Sequence, residues 1–278
     1  MGTLSHSRAM LWLRCRRAWD FHYNCQLEKA AFRPSLDYGL TLHETMPEYW
    51  AGKREWLDVF REKWDTRVEA IAREYDKRGW EHRELEDGYR RGMGRARYHQ
   101  YQLEHVARRD IFSKYEPEVA FTTPLMTDWD ITGRVDGLAT LREPYLSLPA
   151  NAKVLVEYKT TGRYAAGNVE IDFQQALYQQ IHNRPTLYFW FTSDECYPIV
   201  FTHSDESRRE TWCTLQRVAS EIDAEENGAS FYPAAPQGAC YDYCDYGQLC
   251  ILKQQGLDYK YVAETLYKIR SNDHDDTE

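Results

Sequence analysis

The middle of the chain, residues 115–203, changes from helical to strand-like spacing, and this change constrains the fold more than any other feature. Segments rich in Val, Ile, Leu, Thr and aromatic residues, bounded by Pro or Gly, are typical of strands. Three such segments follow one another: 118–123, 129–141 and 153–160. Helical spacing returns over 169–183, before two more strand-like segments at 186–192 and 197–202. This order of strands and helix predicts an α/β fold.

Helices are predicted on both sides of this segment. Ser5 or Ser7 can cap a first helix, and Pro34 separates that helix from the next one. Apolar residues at helical spacing predict three more helices before the strands and two after them: 35–50, 54–73, 83–110, 205–227 and 258–270. The last residues, 271–278, are rich in acidic side chains and are expected to be disordered.

The chain has 278 residues, seven cysteines and a formal net charge of −9. The acidic balance argues against a protein that coats nucleic acid, but it allows a local basic cleft. Apolar stretches are far shorter than the ~20 residues of a membrane-spanning helix, and the N-terminal apolar run is too short for a secretory signal. We therefore expect a cytoplasmic protein with no membrane association. Its odd cysteine count favours metal or redox use over a disulfide framework.

Two acidic residues and a lysine lie on neighbouring predicted strands. Asp136 stands in the sequence GRVDGL, and Glu157 and Lys159 stand in VLVEYKTTG. Because residues two apart on a strand point to the same face, Glu157 and Lys159 project together, while Tyr158 points the other way. If the two strands pair, Asp136 and Glu157 meet over one site.

Two carboxylates at one site repel each other, and a hard divalent cation such as Mg²⁺ relieves that repulsion. The backbone carbonyl of Tyr158 can supply a further ligand. Lys159 beside the cation can orient or deprotonate an attacking water and stabilise charge on a phosphate. The combination predicts hydrolysis of a phosphodiester. The E-x-K pattern alone, however, is more often a solvated ion pair on a strand edge.

The helix predicted after these strands distinguishes the two interpretations. Gln174 and Tyr178 are four residues apart and share a helix face. The series G-x-x-D at 133–136, E-x-K at 157–159 and Q-x-x-x-Y at 174–178 resembles the motifs of RecB-type nucleases of the PD-(D/E)XK superfamily.

This resemblance implies an α/β core with a mixed central sheet flanked by helices, and DNA hydrolysis with Mg²⁺ or Mn²⁺. It implies five catalytic residues: Asp136, Glu157, Lys159, Gln174 and Tyr178. The family also carries G-x-x-x-H on an upstream helix, which Gly39 and His43 match. The implied metal ligands are His43, Asp136, Glu157 and the backbone carbonyl of Tyr158. Family members often have a Glu at the start of the first core strand, and Glu118 stands there, although a surface charge explains it equally well.

The cysteines extend the resemblance to a subgroup with an iron–sulphur cluster, similar to CRISPR-associated and AddB-type exonucleases. In that subgroup one Cys near the N-terminus and three near the C-terminus hold a 4Fe–4S cluster. The matching residues are Cys15, Cys240, Cys244 and Cys250. Four thiolates suit such a cluster, but they equally suit a structural Zn²⁺ site, and the ligands alone do not distinguish the two. Cys196 and Cys213 are expected in the core, and Cys25 is unassigned.

The resemblance spans nearly the whole chain and implies a single nuclease domain, residues 1–278. The predicted parts are an N-terminal helix with the first cluster cysteine (1–34), a helical wall of the cleft (35–110), the nuclease core (111–230), a cysteine-cluster region (231–270) and a disordered tail (271–278). The cluster is expected to act as a structural clasp that joins the N- and C-terminal regions.

Arginines of the fourth helix and of the segment after E-x-K are candidate DNA contacts: Arg90, Arg97 and Arg163. Phosphate contacts combined with aromatic stacking hold single strands without sequence readout. The resemblance implies an exonuclease on single-stranded or end-containing DNA, acting in recombination, repair, or phage or CRISPR DNA processing in a prokaryotic or phage-infected cell. The implied protein partners are recombination, replication or adaptation proteins. Two alternatives remain open: a non-catalytic or structure-specific DNA-binding accessory subunit, and a sequence-specific endonuclease with the same core.

Overall fold

The computed structural model describes residues 2–161, 167–193, 195–228, 232–234, 240 and 244–270. The chain forms two compact units. The first contains Met1–Ala31, Phe121–Gly133 and Trp212–Glu278, and the second contains Phe32–Ala120 and Arg134–Thr211.

Helices predominate towards both ends of the chain, and most of the strands lie between them. In chain order the elements are β1 (Gly2–Ser5), α1 (His6–Arg14), α2 (Arg16–Trp19), β2 (Leu27–Lys29), α3 (Pro34–Trp50), α4 (Trp56–Arg78), α5 (Arg83–Val106), β3 (Phe112–Met126), β4 (Trp129–Leu141), β5 (Lys153–Thr160), α6 (Gly167–Glu170), α7 (Phe173–His182), β6 (Thr186–Phe191), β7 (Cys196–Phe201), α8 (Asp205–Gly228), α9 (Gly247–Gln254), α10 (Lys260–Leu266) and β8 (Tyr267–Ile269). A π-helical turn, Asp20–Asn24, continues α2. The order confirms the predicted α/β class, and the bounds of β4 and β5 coincide with the predicted ones.

In the second unit, α3, α4 and α5 begin and end at recognisable sequence signals. α3 begins at Pro34, where a missing amide hydrogen costs no helical hydrogen bond. The carboxylate of Asp37 accepts a hydrogen bond of 2.8 Å from the amide of Arg33 at the same helix end. α4 is followed by Gly79, which adopts the left-handed conformation that glycine favours, with φ 65°. Large aromatic side chains of these helices are buried: Tyr38, Trp56, Phe60 and Trp64.

The strands of the second unit form a mixed sheet. β4 and β5 are antiparallel, β5 and β6 are parallel, and β6 and β7 are antiparallel, while β3 pairs with β4. Every residue of β6 is buried, as in strands that are covered on both faces. The mixed sheet agrees with the fold class that the resemblance implies.

The helix predicted over 169–183 is two helices in the structure. α6 ends at Glu170, and α7 begins at Phe173. Between them, the carboxylate of Asp172 accepts a hydrogen bond of 3.2 Å from the amide of Gln175. An Asp in this position caps a new helix N-terminus, so the chain ends one helix and starts another there.

In the first unit, β1 runs parallel to the start of β4, and Ser5 caps α1 through a hydrogen bond of 3.2 Å from the amide of Arg8. The predicted helix 258–270 is too long, because α10 ends at Leu266 and Tyr267–Ile269 forms β8, antiparallel to β2. The partner strand is distant in sequence, so the local pattern carries no sign of this pairing. The predicted acidic tail, 271–278, lies outside the described residues.

None of the seven cysteines, all of which fall in the described ranges, forms a disulfide. Cys196 is buried, as expected, but Cys213 is exposed on α8, so its predicted core position is wrong. The buried stripe of α8 runs along other positions: Leu215, Val218, Ala219 and Ile222. Cys213 lies two residues before that stripe and therefore on a different face of the helix.

Within the described ranges, no helix combines the length and the apolar character that crossing a lipid bilayer requires.

Candidate active site

The pairing of β4 with β5 brings two acidic residues together. In the antiparallel register, Gly137 is opposite Val156. Asp136 precedes Gly137 and Glu157 follows Val156, so these two residues are the next to face each other. The backbone amide of Tyr158 donates a hydrogen bond of 2.9 Å to Asp136 Oδ2. The Glu157 side chain is only 3% exposed and that of Asp136 15%, so both carboxylates are buried at one place.

His43 of α3 reaches the same place. Its Nδ1 lies 3.2 Å from Asp136 Oδ1, and 30% of the His43 side chain is exposed. Gly39, one helical turn earlier, allows this approach, because a Cβ atom there would lie 3.1 Å from Thr160 Oγ1 at the end of β5. The G-x-x-x-H motif therefore has a packing reason: the glycine lets α3 lie close to the strand that carries Glu157.

Lys159 lies next to Glu157 on the same face of β5. Its Nζ is 2.5 Å from Glu157 Oε1 and 3.8 Å from Asp172 Oδ2. Lys159 also donates a hydrogen bond of 2.9 Å to Gln174 Oε1, and Gln174 Nε2 donates one of 3.0 Å to the hydroxyl of Tyr178. The structure thus joins the E-x-K and Q-x-x-x-Y motifs in one network, with Gln174 and Tyr178 on one face of α7.

The side chain of Tyr158 packs into the core of the second unit, which both helices and strands form. Its hydroxyl accepts a hydrogen bond of 2.6 Å from Trp50 Nε1 and lies 3.0 Å from the hydroxyl of Tyr115. Tyr115 in turn donates a hydrogen bond of 3.3 Å to the backbone carbonyl of Asp136. Gly137 makes room for this ring, because a Cβ atom there would lie 2.5 Å from Tyr115.

Burial and close charges shift the pKa values of His43, Asp136 and Glu157. Burial and the negative charge of Asp136 raise the pKa of Glu157 to about 8. Burial disfavours protonated His43, but the charge of Asp136 and the hydrogen bond to it raise the pKa of His43 to about 9. Burial likewise disfavours ionised Asp136, yet His43 holds the pKa of Asp136 below its ordinary value. A carboxyl group that resists ionisation beside a second carboxylate indicates like charges crowded at one site.

Lys159 has a shifted pKa as well. Burial alone would lower it, but the charges of Glu157, Asp172 and Asp136 and the hydrogen bond to Glu157 together outweigh burial. The pKa of Lys159 is therefore raised above its ordinary value. Lys159 therefore stays an ammonium group at neutral pH, and it acts on its neighbours as a cation and hydrogen-bond donor.

Each of the four carboxylate oxygens of Asp136 and Glu157 has a partner within the chain. Asp136 Oδ1 and Glu157 Oε1 face the titratable groups of His43 and Lys159. Asp136 Oδ2 accepts a hydrogen bond from a backbone amide, and Glu157 Oε2 accepts one of 2.6 Å from Gln175 Nε2. One oxygen of each carboxylate is thus held by a neutral donor, and the other faces a group that a metal ion can replace.

The donor set suits a hard divalent cation, because carboxylate oxygens are the ligands that Mg²⁺ and Mn²⁺ prefer. Burial and then the charge of Asp136 raise the pKa of Glu157, and a bound cation would relieve the repulsion between the two carboxylates. Among the described residues, no three His, Cys, Asp or Glu side chains are gathered closely enough to hold a metal ion. The close contact of Lys159 Nζ with Glu157 Oε1 occupies one oxygen that a metal ion would need.

Two residues that the sequence motifs do not include also contact the site. Asp172 lies near Lys159, and Gln175 contacts Glu157. Asp172 carried a signal, because an Asp before a helical segment is a typical N-cap. Gln175 carried none, because it stands directly beside Gln174 and the local pattern does not distinguish two adjacent glutamines. Only the register of α7 against β5 shows that they contact different residues, Lys159 for Gln174 and Glu157 for Gln175.

Glu118 lies close enough to Asp136 and His43 to interact with their charges. Burial raises its pKa, Arg134 at 2.6 Å opposes that shift, and the charge of Asp136 adds to it. Glu118 also adopts the left-handed backbone conformation, with φ 51°, which is uncommon for a residue other than glycine.

The arginines predicted to contact DNA are placed differently from one another. Arg90 and Arg97 are exposed on α5, and Arg90 forms an ion pair of 2.9 Å within its own helix. Arg163 lies outside the described residues. Arg95, which the sequence did not select, donates a hydrogen bond of 3.3 Å to the carbonyl of Thr161, just after β5.

The four cysteines predicted to bind the iron–sulphur cluster all belong to the first unit. Cys15, Cys244 and Cys250 are partly buried against one apolar cluster of that unit. Burial raises the pKa of the Cys244 thiol, and the nearby Cys15 and Cys240 act in the same direction. Arg17 donates a hydrogen bond of 3.6 Å to Cys250 Sγ.

Two solved structures are similar to the chain. A crystal structure from Eubacterium rectale, named as a candidate exonuclease, matches with a TM-score of 0.52 and 12% identity, over 89% of this chain and 87% of that chain. A crystal structure of SSO0001 matches with a TM-score of 0.41 and 13% identity, over 90% and 86%. At these identities the first likeness shows the fold alone, and the second is too weak to support an argument. No curated protein sequence matches the chain.

The sequence also matches a family model, described as the PD-(D/E)XK nuclease superfamily, over residues 3–251. This match contains every element that builds the acidic cluster, from α3 to α7. The protein therefore belongs to the PD-(D/E)XK nuclease superfamily.

Proposed function

We propose that the protein is a metal-dependent DNA nuclease that acts as an exonuclease on single-stranded or end-containing DNA. The observation that carries the proposal is the gathering of Asp136, Glu157 and Lys159 where β4 meets β5. Membership of a nuclease superfamily supports the hydrolysis of phosphodiesters. The name of the Eubacterium rectale structure favours an exonuclease within that class.

Asp136 and Glu157 would hold one or two Mg²⁺ or Mn²⁺ ions, with His43 and the backbone carbonyl of Tyr158 as further ligands. Such a cation, when bound, polarises a phosphoryl oxygen and makes a water molecule more acidic. For the ligands to become available, Lys159 must leave Glu157 Oε1 and His43 must lose its proton.

Lys159 is the group proposed to act on the attacking water. Its side chain is 28% exposed, so its ammonium group is accessible from solvent. When it leaves Glu157, Gln174 still accepts its hydrogen bond, and Tyr178 in turn holds Gln174. Because its pKa is raised, Lys159 would orient the water and stabilise charge on the phosphate rather than accept a proton.

Arg90, Arg97 and Arg163 are the proposed phosphate contacts. Arg90 and Arg97 lie on the exposed surface of α5, as DNA contacts require. The ion pair of Arg90 is exposed, and such pairs contribute little, so it presents no barrier to binding a phosphate instead.

For the four cysteines we propose a 4Fe–4S cluster, with a structural Zn²⁺ site as the alternative. The support is the packing of three of them against one apolar cluster, and the electrostatic effect of Cys15 and Cys240 on Cys244. Four thiolates suit either centre. Its role would be structural, because Cys15 precedes the other three ligands by most of the chain and a shared centre would tie distant segments of the first unit together. The predicted domain boundaries, protein partners and cellular location stay predictions.

The test is cleavage of one DNA sequence in linear and circular form, single- and double-stranded, with Mg²⁺ or Mn²⁺. We expect linear DNA to be degraded, circular DNA to stay intact, and a chelator to stop the reaction. Cleavage of the circles would instead establish an endonuclease. Binding of all the substrates without cleavage would establish the accessory role.

A further inference from the structure

A set of buried polar side chains lies behind Glu157, on the far side from Lys159. Gln175 is 1% exposed, and Gln179 and Thr186 are fully buried. Burying a polar side chain is costly unless it finds hydrogen-bond partners, so such residues within a core need a reason. Neither the acidic pair nor the lysine network described above accounts for Gln179 or Thr186.

These side chains form one continuous series of hydrogen bonds. Gln175 Nε2 donates to Glu157 Oε2 at 2.6 Å, and Thr186 Oγ1 donates to Gln175 Oε1 at 3.0 Å. Gln179 Nε2 donates to Thr186 Oγ1 at 2.9 Å. The series ends at backbone groups of the β7 end, where Gln179 Nε2 also donates to the carbonyl of Phe201 at 3.1 Å.

The backbone groups fix the direction of every bond in the series. The amide of His203, which can only donate, points to Gln179 Oε1 at 2.7 Å, so the NH₂ group of Gln179 must face Phe201 and Thr186. Thr186 then accepts a hydrogen bond and has one proton left to donate, which goes to Gln175 Oε1. Gln175 is left with its NH₂ group towards Glu157.

From this geometry we propose that Gln175 is a positioning residue for Glu157, and that Thr186 and Gln179 orient Gln175 for that task. Gln175 holds Oε2 in place, so that Oε1 is the oxygen presented to Lys159 or to a metal ion. This inference rests on the proposed function, in which Glu157 is a metal ligand. It adds a second, buried line of residues that acts on the reaction through Glu157.

The two neighbouring glutamines of α7 thereby have separate tasks. Gln174 is part-buried and holds Lys159, whereas Gln175 is buried and holds Glu157. A metal ion held by Glu157 would take the place of the Lys159 ammonium group, and each of the two side chains would still have a partner on α7. Groups that orient a metal ligand in this way are typically worth about 10–100-fold in metal affinity or activity.

The test is a pair of substitutions at Thr186, which touches neither Glu157 nor any residue that contacts DNA in the proposed function. Thr186→Val keeps the shape and removes the hydroxyl, whereas Thr186→Ser keeps the hydroxyl. Mn²⁺ binding is measured by electron paramagnetic resonance on the full chain without DNA, and thermal unfolding verifies that each variant is folded. We expect Thr186→Val to weaken Mn²⁺ binding by about 10-fold or more and Thr186→Ser to restore it. Gln175→Met, which removes the donor itself, is expected to weaken binding at least as much.

Equal Mn²⁺ affinity in folded Thr186→Val and in the wild type would overturn the inference, since a merely structural threonine changes the unfolding temperature alone. Absence of Mn²⁺ binding to the wild type would overturn it too. Failure of the proposed function has a different signature. There the wild type binds Mn²⁺ and Thr186→Val binds it more weakly, but neither protein cleaves DNA.

Discussion

Lys159 Nζ lies 2.5 Å from Glu157 Oε1, the carboxylate oxygen that the proposed metal ion must reach. The ammonium group and the metal ion therefore compete for one atom. Removing the ammonium group should separate the two roles of the site, because it frees a metal ligand while it takes away the group that acts on water.

Lys159→Met is accordingly expected to reduce DNA cleavage by about 10²–10³-fold, the usual contribution of a donor that stabilises charge in the transition state. Mn²⁺ binding should be retained or strengthened, because Glu157 loses its competing cation. Lys153→Met is the matched control, since Lys153 is exposed at the start of the same strand. Cleavage by Lys159→Met at the rate of the control would refute the role given to Lys159.

Gly137 is expected to matter through packing. A Cβ atom at Gly137 would lie 2.5 Å from the ring of Tyr115, which holds the backbone of Asp136. Gly137→Ala should lower the free energy of unfolding by about 1–3 kcal/mol, as overpacking does. Gly94→Ala should instead raise it by about 0.5–1 kcal/mol, because Gly94 lies within α5 with open space around it. Urea unfolding of both variants measures the difference, and the same sign for both would contradict this account.

The stability of the metal-free protein should depend on pH through His43. The pKa of His43 rises on folding from 6.5 to about 9. Such a group stabilises the fold fully below pH 6.5, and this contribution is lost as the pH rises through 9. The raised pKa of Glu157, about 8, acts in the same direction. The free energy of unfolding should therefore fall as the pH rises from 6.5 to about 9.

Urea unfolding at a series of pH values, with chelator present, measures this decline. His43→Gln should show a shallower decline than the wild type, with the part due to Glu157 left over. An unchanged slope in His43→Gln would show that Asp136 does not stabilise protonated His43. Mn²⁺ binding should strengthen over the same pH range, because both ligands must lose protons to bind metal.

The cysteine centre makes a prediction about metal content. Protein purified without oxygen should contain iron and sulphide and absorb visible light, whereas the alternative centre contains one zinc and no iron. Cys244→Ser should lose the metal and destabilise the first unit. Cys213→Ser should change neither, because Cys213 is exposed on α8. A full metal content in Cys244→Ser would remove Cys244 from the ligand set.

Much of the site could be predicted from the sequence because its motifs lie on regular elements. The two-residue period of a strand places Glu157 and Lys159 together, and the four-residue period of a helix places Gln174 beside Tyr178. The α/β class and the bounds of β4 and β5 followed from periodicity in the same way.

The rest depended on contacts between elements that are distant in sequence. The task of Gln175 depends on Thr186 of β6, and β8 exists only because β2 lies beside it. The exposure of Cys213 depends on which face of α8 is covered. The break between α6 and α7 could have been predicted, because Asp172 is a common helix cap, but the apolar spacing outweighed it.

The central claim is that Asp136 and Glu157 together hold a catalytic divalent cation. Its most direct test is the rate of Mn²⁺-dependent DNA cleavage by Asp136→Asn beside the wild type. Asn keeps the shape of the side chain and can still accept the hydrogen bond from the amide of Tyr158, but it lacks the charge. A folded Asp136→Asn protein is expected to cleave no faster than wild type treated with chelator. Cleavage at the wild-type rate, with unchanged dependence on Mn²⁺, would contradict it.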